Sequence, residues 1–387
     1  MFHYKFKNEQ QILFSFFYNF YENDYCACIN RSLVELNGVK IFCDNLNKKL
    51  NKEKIKLNNK SPITKAYDLS LLKLYNRVNL MGKNINDIIK FYKQSEDCKD
   101  LLFDCPLCYL VFKEFVHKYL YLRDKVNLDI INYLEKQENP KDITNIESTD
   151  FTDSIDNIQI CLSRNISDFP FPLCSTFSKY NEKSLDIIKN ALNELNKKQK
   201  LGTYMELTEA ENLMKEYNIK ILHDDKMKDY DYDLDYPENR GFIKFEKQNL
   251  FATINDLNHI NFIFYTKNLN DKIDIKNAME NMIILVNKFS AKIKFAFSQK
   301  YGFLTACPKY VGNGINISAD IKINTLKNEF LDEYIKDKNM EYEELPEIKE
   351  DNEHRIIRLK NKGSFIESET EMFCNWIYYL NELVFKD

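Results

Sequence analysis

Three groups of residues in this chain have types and spacings that could do chemistry. The segment from Tyr301 to Ile323, YGFLTACPKYVGNGINISADIKI, sets Cys307 and Pro308 between two β-rich stretches, with Asn316 nine residues after the cysteine. A thiolate is a nucleophile, but a lone cysteine on a buried strand is ordinarily a small core residue, and Cys307 is read that way. Cys26 with Cys28 and Cys105 with Cys108 offer four thiols for zinc. The first spacing is too tight for a usual knuckle and the second opens a helix, so no metal is assigned. The third group is the stretch Asn45 to Lys60, whose Lys48, Lys49, Lys52, Lys54, Lys56 and Lys60 stand with a single glutamate. Concentrated charge of that kind contacts phosphates or remains a solvated linker. His3, His117, His223, His259 and His354 show no i, i+4 pairing, and Asp224 to Asp235 lacks the glycine of a calcium-binding loop.

The elements that must position these residues are those of a folded, non-membrane protein. With 387 residues and 44% hydrophobic content the chain can bury a large core or two unequal ones. A mean hydropathy of -0.50 and the lack of a long apolar run argue against a spanning helix, and no signal peptide is recognised. The ten cysteines are therefore expected to be reduced, in a cytoplasmic protein. A net charge of -4 excludes a uniformly basic nucleic-acid binder while leaving room for a local basic patch. The abundance of Asn, Lys and Ile reflects an AT-rich coding sequence more than chemistry.

Residues 1–60 form an aromatic extension with the lysine-rich segment, and residues 61–135 a small helical domain with helices from Ser61 and over Cys108 to Leu122, where Leu110, Val111, Phe115 and Leu122 face inward. The polar stretch 136–157 reads as a linker. Within 158–387, strands are predicted at Gly241 to Phe245, Leu250 to Ile254, Asn261 to Tyr265, Gly302 to Ala306 and Ile315 to Ile323. Helices are predicted at Ser184 to Lys197, Thr208 to Tyr217, Ile275 to Phe289 and Glu369 to Val384. Connections this short favour antiparallel pairing, so the fold class is α+β, an antiparallel sheet flanked by helices behind a small all-α domain.

Five ordered motifs in this frame resemble those of the phosphagen kinases, the arginine and creatine kinase family. Arg164 to Pro172, RNISDFPFP, is similar to the family's Arg-Ser-hydrophobic-Gly-Tyr-Pro-Phe segment, and Gly202 to Thr208, GTYMELT, to its Gly-Thr-Tyr-Tyr-Pro-Leu-Thr. Asn239 to Phe242 resembles its Gly-Arg-Gly-Ile, Asn255 to His259 its Asn-Glu-Glu-Asp-His, and the Cys307 turn its substrate cysteine turn. The resemblance implies a phosphagen-kinase fold from about Ser61 onward. It also implies a site altered in its chemistry. The family's phosphate-binding arginines fall on Gln159, Cys161, Asn261 and Asn316, and its catalytic glutamate on Leu257. Its mobile loop falls on Glu341 to Glu353, with seven acids and no arginine, and its glycine-rich specificity loop near Ser95 to Phe103, with no glycine. Charge-assisted hydrogen bonds contribute about 1.5–3 kcal/mol each, so losing several removes most of the roughly 8 kcal/mol behind micromolar affinity.

The expectation drawn from these losses is a non-catalytic, phosphagen-kinase-like pseudoenzyme, not an enzyme, with no cofactor, no bound metal and no ATP binding. Composition and lost residues together resemble the ribosome-bound dormancy factors of microsporidia, which implies a partner in the large ribosomal subunit and its RNA, and blockage of functional centres in inactive ribosomes. The alternatives are a guanidino-kinase phosphotransferase rebuilt on different cations, or a regulatory partner of an active paralogue. For the ribosomal contact, the aromatics of MFHYKFKN can stack on unpaired bases while the six lysines displace counterions from phosphates. Replacing Lys48, Lys49, Lys52, Lys54, Lys56 and Lys60 with glutamine should weaken co-sedimentation with ribosomes and flatten its salt dependence. A six-fold variant that binds with wild-type strength and slope would make this segment a linker.

Overall fold

The computed structural model describes residues 61–385, apart from 75–76, 80, 95–100, 129–132, 134–154, 173–177, 222–234, 248, 268–274, 325–327, 337, 346–353 and 366. The aromatic extension, the six lysines, Cys26, Cys28 and most of the Asp224 to Asp235 cluster lie outside the described residues.

Ten strands are described: β1 Ile155–Arg164, β2 Gly202–Glu206, β3 Gly241–Phe245, β4 Leu250–Ile254, β5 Ile260–Lys267, β6 Phe297–Ser298, β7 Gly302–Phe303, β8 Ile315–Asn324, β9 Met340–Glu344 and β10 His354–Asn361. All but β6 and β7 form one antiparallel sheet in the order β2-β3-β4-β5-β1-β8-β10-β9, and β6 and β7 make a separate hairpin. The expected α+β class, with an antiparallel sheet flanked by helices, is met. The linker expectation needs correction at its end, because β1 begins at Ile155, inside 136–157. Ile158, Ile160 and Leu162 alternate with polar residues there, and the buried half of the pattern pulls the segment into the sheet.

One sheet face is apolar. Ile158, Ile160 and Leu162 join Phe262 and Phe264 of β5, Ile315 and Ile317 of β8 and Leu359 of β10 in the main core. Helices α5 Ser178–Asn196, α7 Ile275–Ser290, α8 Asn328–Ile335 and α9 Glu369–Phe385 cover it with Ile188, Met282, Phe289, Leu331, Phe373 and Trp376 among others. Phe289 meets Phe262 edge-on at 5.4 Å between ring centroids, an arrangement that adds about 0.5–1.5 kcal/mol to burial. The other face is divided. Helix α6 Leu207–Glu216 and the residues after it cover Phe242, Phe251 and Ile263 on β3, β4 and β5 with Ala210 and Ile219, which leaves the side of β1, β8 and β10 without that cover.

The helices α1 Pro62–Leu74, α2 Ile85–Gln94, α3 Cys108–Val111 and α4 Lys113–Asp124 precede the sheet. The expected single helix over Cys108 to Leu122 is broken at Phe112, where φ is -105° and ψ is 30°. The break turns Leu110 outward, 65% exposed, while Phe115 is buried as expected. This core is shared with the later chain: Tyr301, Ala306, Val311 and Phe365 belong to the same cluster as Tyr67, Phe103 and Phe115. The expected strand Gly302 to Ala306 shortens to β7 for the same reason. Thr305 O accepts from Tyr109 Oη (2.8 Å) and Ala306 O from Phe103 N (2.7 Å), so these groups serve the helical part instead of a strand neighbour.

Two buried polar assemblies lock the end of β1. The Arg164 guanidinium, 1% exposed, donates to Ser163 O, to Asn313 O and to Glu369 at the start of α9, and it lies 3.5 Å from the Phe303 ring centroid. Gly314, with φ +76°, is required beside it, since a Cβ there would meet Ser163 O at 2.6 Å and the guanidinium at 2.8 Å. Second, Asn165 Nδ2 donates to Asn258 Oδ1 (2.7 Å), Asn258 Oδ1 also accepts from Ala306 N (2.9 Å), and Ile166 N donates to His259 Nδ1 (3.2 Å). Among the described residues no helix is long and apolar enough to cross a membrane.

Glu369→Ala should strand the Arg164 charge and cost about 3 kcal/mol in chemical denaturation, the low end expected for breaking a buried pair because Glu369 is partly exposed. A loss under about 0.5 kcal/mol would mean that Phe303 and the two carbonyls suffice. Burial pushes His259 down to about 3, against an unfolded value of about 6.5. The unfolded chain therefore takes up a proton first, and stability is lost as pH falls through that window, by up to about 1.4 kcal/mol per pH unit. His259→Gln should flatten the fall in urea midpoint between neutral pH and pH 4; an unchanged slope would assign the effect to other groups.

Candidate functional site

The sheet face left without α6 presents the polar halves of β1, β8 and β10. Strand alternation sends Gln159 and Cys161 of β1 to this side, because Ile158, Ile160 and Leu162 go to the core, and Cys161 packs against the border of the cluster under α6. Register then brings the sequence-predicted positions together. Cys161 lies opposite Asn316, Gln159 opposite Ser318, and Ser163 opposite Asn261. These four candidates, separated by as many as 157 positions in sequence (316 less 159), share one surface because β5, β1 and β8 are adjacent strands.

Their chemistry is that of amides and a thiol. Asn261 Oδ1 accepts from Ser163 Oγ (2.8 Å), and its Nδ2 donates to Thr253 Oγ1 (3.1 Å) and to Asp256 Oδ2 (3.3 Å). Asn316 Oδ1 is buried without a hydrogen-bond partner among the described residues. Burial pushes the Cys161 thiol up to about 12, with the negative charge of Asp256 adding to it and the Ser163 hydrogen bond opposing it. Cys161 is thus a protonated thiol at neutral pH and not a nucleophile. Leu257 turns from this face and packs against the core of the helical part. Cys307 is 4% exposed, its carbonyl accepting from Thr305 Oγ1 (2.7 Å), and it is set on the turn beside the helical part, apart from the β1 and β8 residues.

Sequence reasoning missed the charged groups of this face. Arg358 of β10 makes a two-pronged pair with Asp320 of β8, Nε to Oδ1 at 2.6 Å and Nη2 to Oδ2 at 2.8 Å, and Asn157 Nδ2 donates to the same carboxylate at 2.7 Å. Lys360, opposite Ser318, pairs with Glu343 of β9 at 2.6 Å, and Lys309 pairs with Glu341 at 2.6 Å. Ser318 therefore stands between Gln159 and Lys360, which sit two strand spacings apart, about 10 Å. The available signal was the alternation of Ile357, Arg358, Leu359 and Lys360, which sequence reasoning did not use. The acidic stretch expected as the mobile loop is in part strand β9, which supplies both glutamates; its remainder, 346–353, lies outside the described residues.

The residues hold three cations in ion pairs, a run of amides and hydroxyls, and the carboxylate of Asp256. Such a face can orient a polar ligand by hydrogen bonds and can offer lysines to an anion, provided that their glutamates yield.

Comparison with known proteins gives this geometry a context. The family model for the C-terminal catalytic domain of the ATP:guanido phosphotransferases matches residues 183–386, more than half of the chain. A taurocyamine kinase of Schistosoma mansoni is 28% identical over 207 residues, covering 49% of this chain and 26% of that protein. An arginine kinase of Penaeus vannamei is 26% identical over 171 residues, covering 42% and 46%. The chain thus spans less than half the length of these curated relatives. Among solved structures, the substrate-free duplicated taurocyamine kinase from Schistosoma mansoni superimposes with a TM-score of 0.71 at 20% identity, over 88% of this chain and 48% of that one. A lombricine kinase gives 0.67 at 19% identity over 84% and 92%. The expectation that the chain is not an enzyme is overturned by these matches, since the relatives and the structural neighbours alike are guanidino kinases. On the extent of the catalytic-domain match, the chain belongs to the ATP:guanido phosphotransferase family.

Proposed function

We propose that this protein is a phosphotransferase of the guanidino kinase type whose phosphate site is rebuilt on cations other than the expected arginines. The observation that supports this reading is the catalytic-domain match over 183–386 together with Lys360 of β10 on the open sheet face and Lys309 of the Cys307 turn, which reaches β9 at that face through Glu341. Magnitudes separate the three cations of that face. The partners of Lys360 and Lys309, Glu343 and Glu341, are 46% and 43% exposed, and pairs so exposed contribute about 0–1 kcal/mol. A phosphate offering charge-assisted bonds of about 1.5–3 kcal/mol displaces those glutamates. Arg358 is different, because its two-pronged partner Asp320 is only 7% exposed and also holds Asn157. Lys360 and Lys309 are therefore the donor-binding cations, and Arg358 keeps the sheet in register. Phosphoryl transfer is mainly positioning plus charge neutralisation, so two mobile lysines support a slower reaction than a full arginine cradle. Asp256, adjacent to Leu257, supplies the carboxylate that orients a guanidinium or accepts its proton.

A second reading concerns the lysines of residues 45–60. Their density, with the aromatic extension before them, supports ribosomal RNA as a partner of that segment, with the large subunit and its functional centres as the place of contact. A kinase-like body and an RNA-binding extension are compatible in one chain.

Calorimetry with Mg-ATP should give a dissociation constant weaker than micromolar, and the Lys309→Gln, Lys360→Gln double variant should weaken it a further tenfold or more, about 1.4 kcal/mol. Phosphorus NMR should detect transfer to a guanidino acceptor when arginine and taurocyamine are offered. Folded wild-type protein that neither binds a nucleoside triphosphate at millimolar concentration nor transfers phosphate would overturn the proposal, and would restore the reading drawn from Gln159, Cys161, Asn261 and Asn316 alone.

A further inference from the structure

Outside the open face, one buried cluster has the composition and spacing of a cation site. Asp104, Cys105 and Cys108 are each 0% exposed, and one ligand atom from each lies within 4.8 Å of the others. The two sulfurs are 3.7 Å apart, and Cys108 Sγ is 3.3 Å from Asp104 Oδ1. Tetrahedral zinc with bonds of about 2.3 Å to sulfur and about 2.0 Å to oxygen requires edges of roughly 3.8 Å and 3.5 Å. These two separations match two edges of one face of such a tetrahedron to within about 0.2 Å, and the third pair, Cys105 Sγ and the Asp104 carboxylate, lies within 4.8 Å.

Two further observations point to a ligand. Asp104 Oδ2 is buried with no hydrogen-bond partner among the described residues, an arrangement that costs a carboxylate heavily unless a cation meets it. The buried Asn79 is placed as an outer support: its Nδ2 donates to Asp104 Oδ1 (2.5 Å) and reaches Cys108 Sγ (3.4 Å), while its Oδ1 accepts from Met81 N (2.9 Å) and Lys83 N (3.0 Å). Donation to both a carboxylate and a sulfur is what offsets the surplus negative charge of an Asp-Cys-Cys ligand set around a dication.

We infer that Asp104, Cys105 and Cys108 form a binding site for one soft divalent cation of the zinc class, with Asn79 orienting the ligands and a fourth position open to water. Its placement gives it a structural role. Asp104 O accepts from Phe171 N (2.8 Å), and the preceding Phe103 N donates to Ala306 O (2.7 Å). The ion thus pins the turn before α3 to the segment that follows β1, through Phe171, and to the residue that leads into the Cys307 turn, Ala306. Thiolates favour zinc over magnesium, so the site is distinct in chemistry from any Mg-nucleotide on the open face.

The test uses the full-length protein, reduced, stripped with a chelator and titrated with Co2+ in excess Mg2+. One equivalent should bind with a thiolate-to-cobalt charge-transfer band and tetrahedral ligand-field absorption, both displaced by Zn2+. The Cys105→Ser, Cys108→Ser double variant should lose the band. Asp104→Asn keeps both thiols and nearly the same shape; it should shift the ligand-field bands and weaken uptake about tenfold or more. Folded, reduced wild type without a thiolate band would overturn the inference. So would a band that survives in the double variant, or an Asp104→Asn protein with unchanged spectrum and affinity, which decides the matter even where the cysteine variant does not fold.

Discussion

The guanidinium of Arg164 is the constraint on which the rest of this architecture depends. It is fully enclosed, and burial lowers its pKa while Glu369 raises it. A charge in that position is tolerated only where partners offset its lost hydration, and both Nη atoms have them while Nε is buried with none among the described residues. Here the partners come from its own strand, from the turn before β8, from the first turn of α9 and from the face of Phe303. One side chain therefore fixes the spacing of β1 from β8, seats the C-terminal helix, and anchors the hairpin preceding the Cys307 turn. Because β1 is held, the open-face residues on it are held as well.

On that face the positions brought together on β1, β5 and β8 carry amides, a thiol and hydroxyls. An amide is uncharged and both donates and accepts, so it satisfies itself on its neighbours, as Asn261 does with Ser163, Thr253 and Asp256. A guanidinium at the same position could not bond to Ser163 Oγ and the rest of this set without also demanding an anion. The face is thus organised internally among its own amides, hydroxyls and carboxylate, while its cations stand to one side, Arg358 and Lys360 on β10 and Lys309 on the turn after Cys307. Asn316, whose carbonyl oxygen is unmatched, is where that internal order is incomplete.

Much of the fold was legible in the sequence, and the reasons differ by element. The strands Gly241–Phe245 and Leu250–Ile254 were found at their bounds because short β-rich runs are closed by turn residues on both sides. β1 was missed because its outer half, Asn157, Gln159, Cys161 and Ser163, is polar and continues the composition of the segment before it. β9 and β10 were missed because their stability comes from ladders and from pairs such as Lys360–Glu343, which are made across strands. The positions of the site were legible through the family motifs, yet their meeting on one surface depends on strand order, a non-local property. The cluster at Asp104 was half legible: the spacing of Cys105 and Cys108 is visible, whereas Asn79, twenty-five residues earlier, is brought in only by packing.

The position of β9 has one more consequence. It is the last strand of the eight-stranded sheet, so one row of its backbone donors and acceptors faces no neighbouring strand. An open row of that kind invites a second molecule to extend the sheet. Glu341, Glu343 and Glu344 fill three of its five positions, so two copies approaching edge to edge would bring like charges into register. The same acids that pair with Lys309 and Lys360 therefore also oppose edge-to-edge pairing of two copies, and drawing those lysines away would leave that edge more strongly repulsive than before.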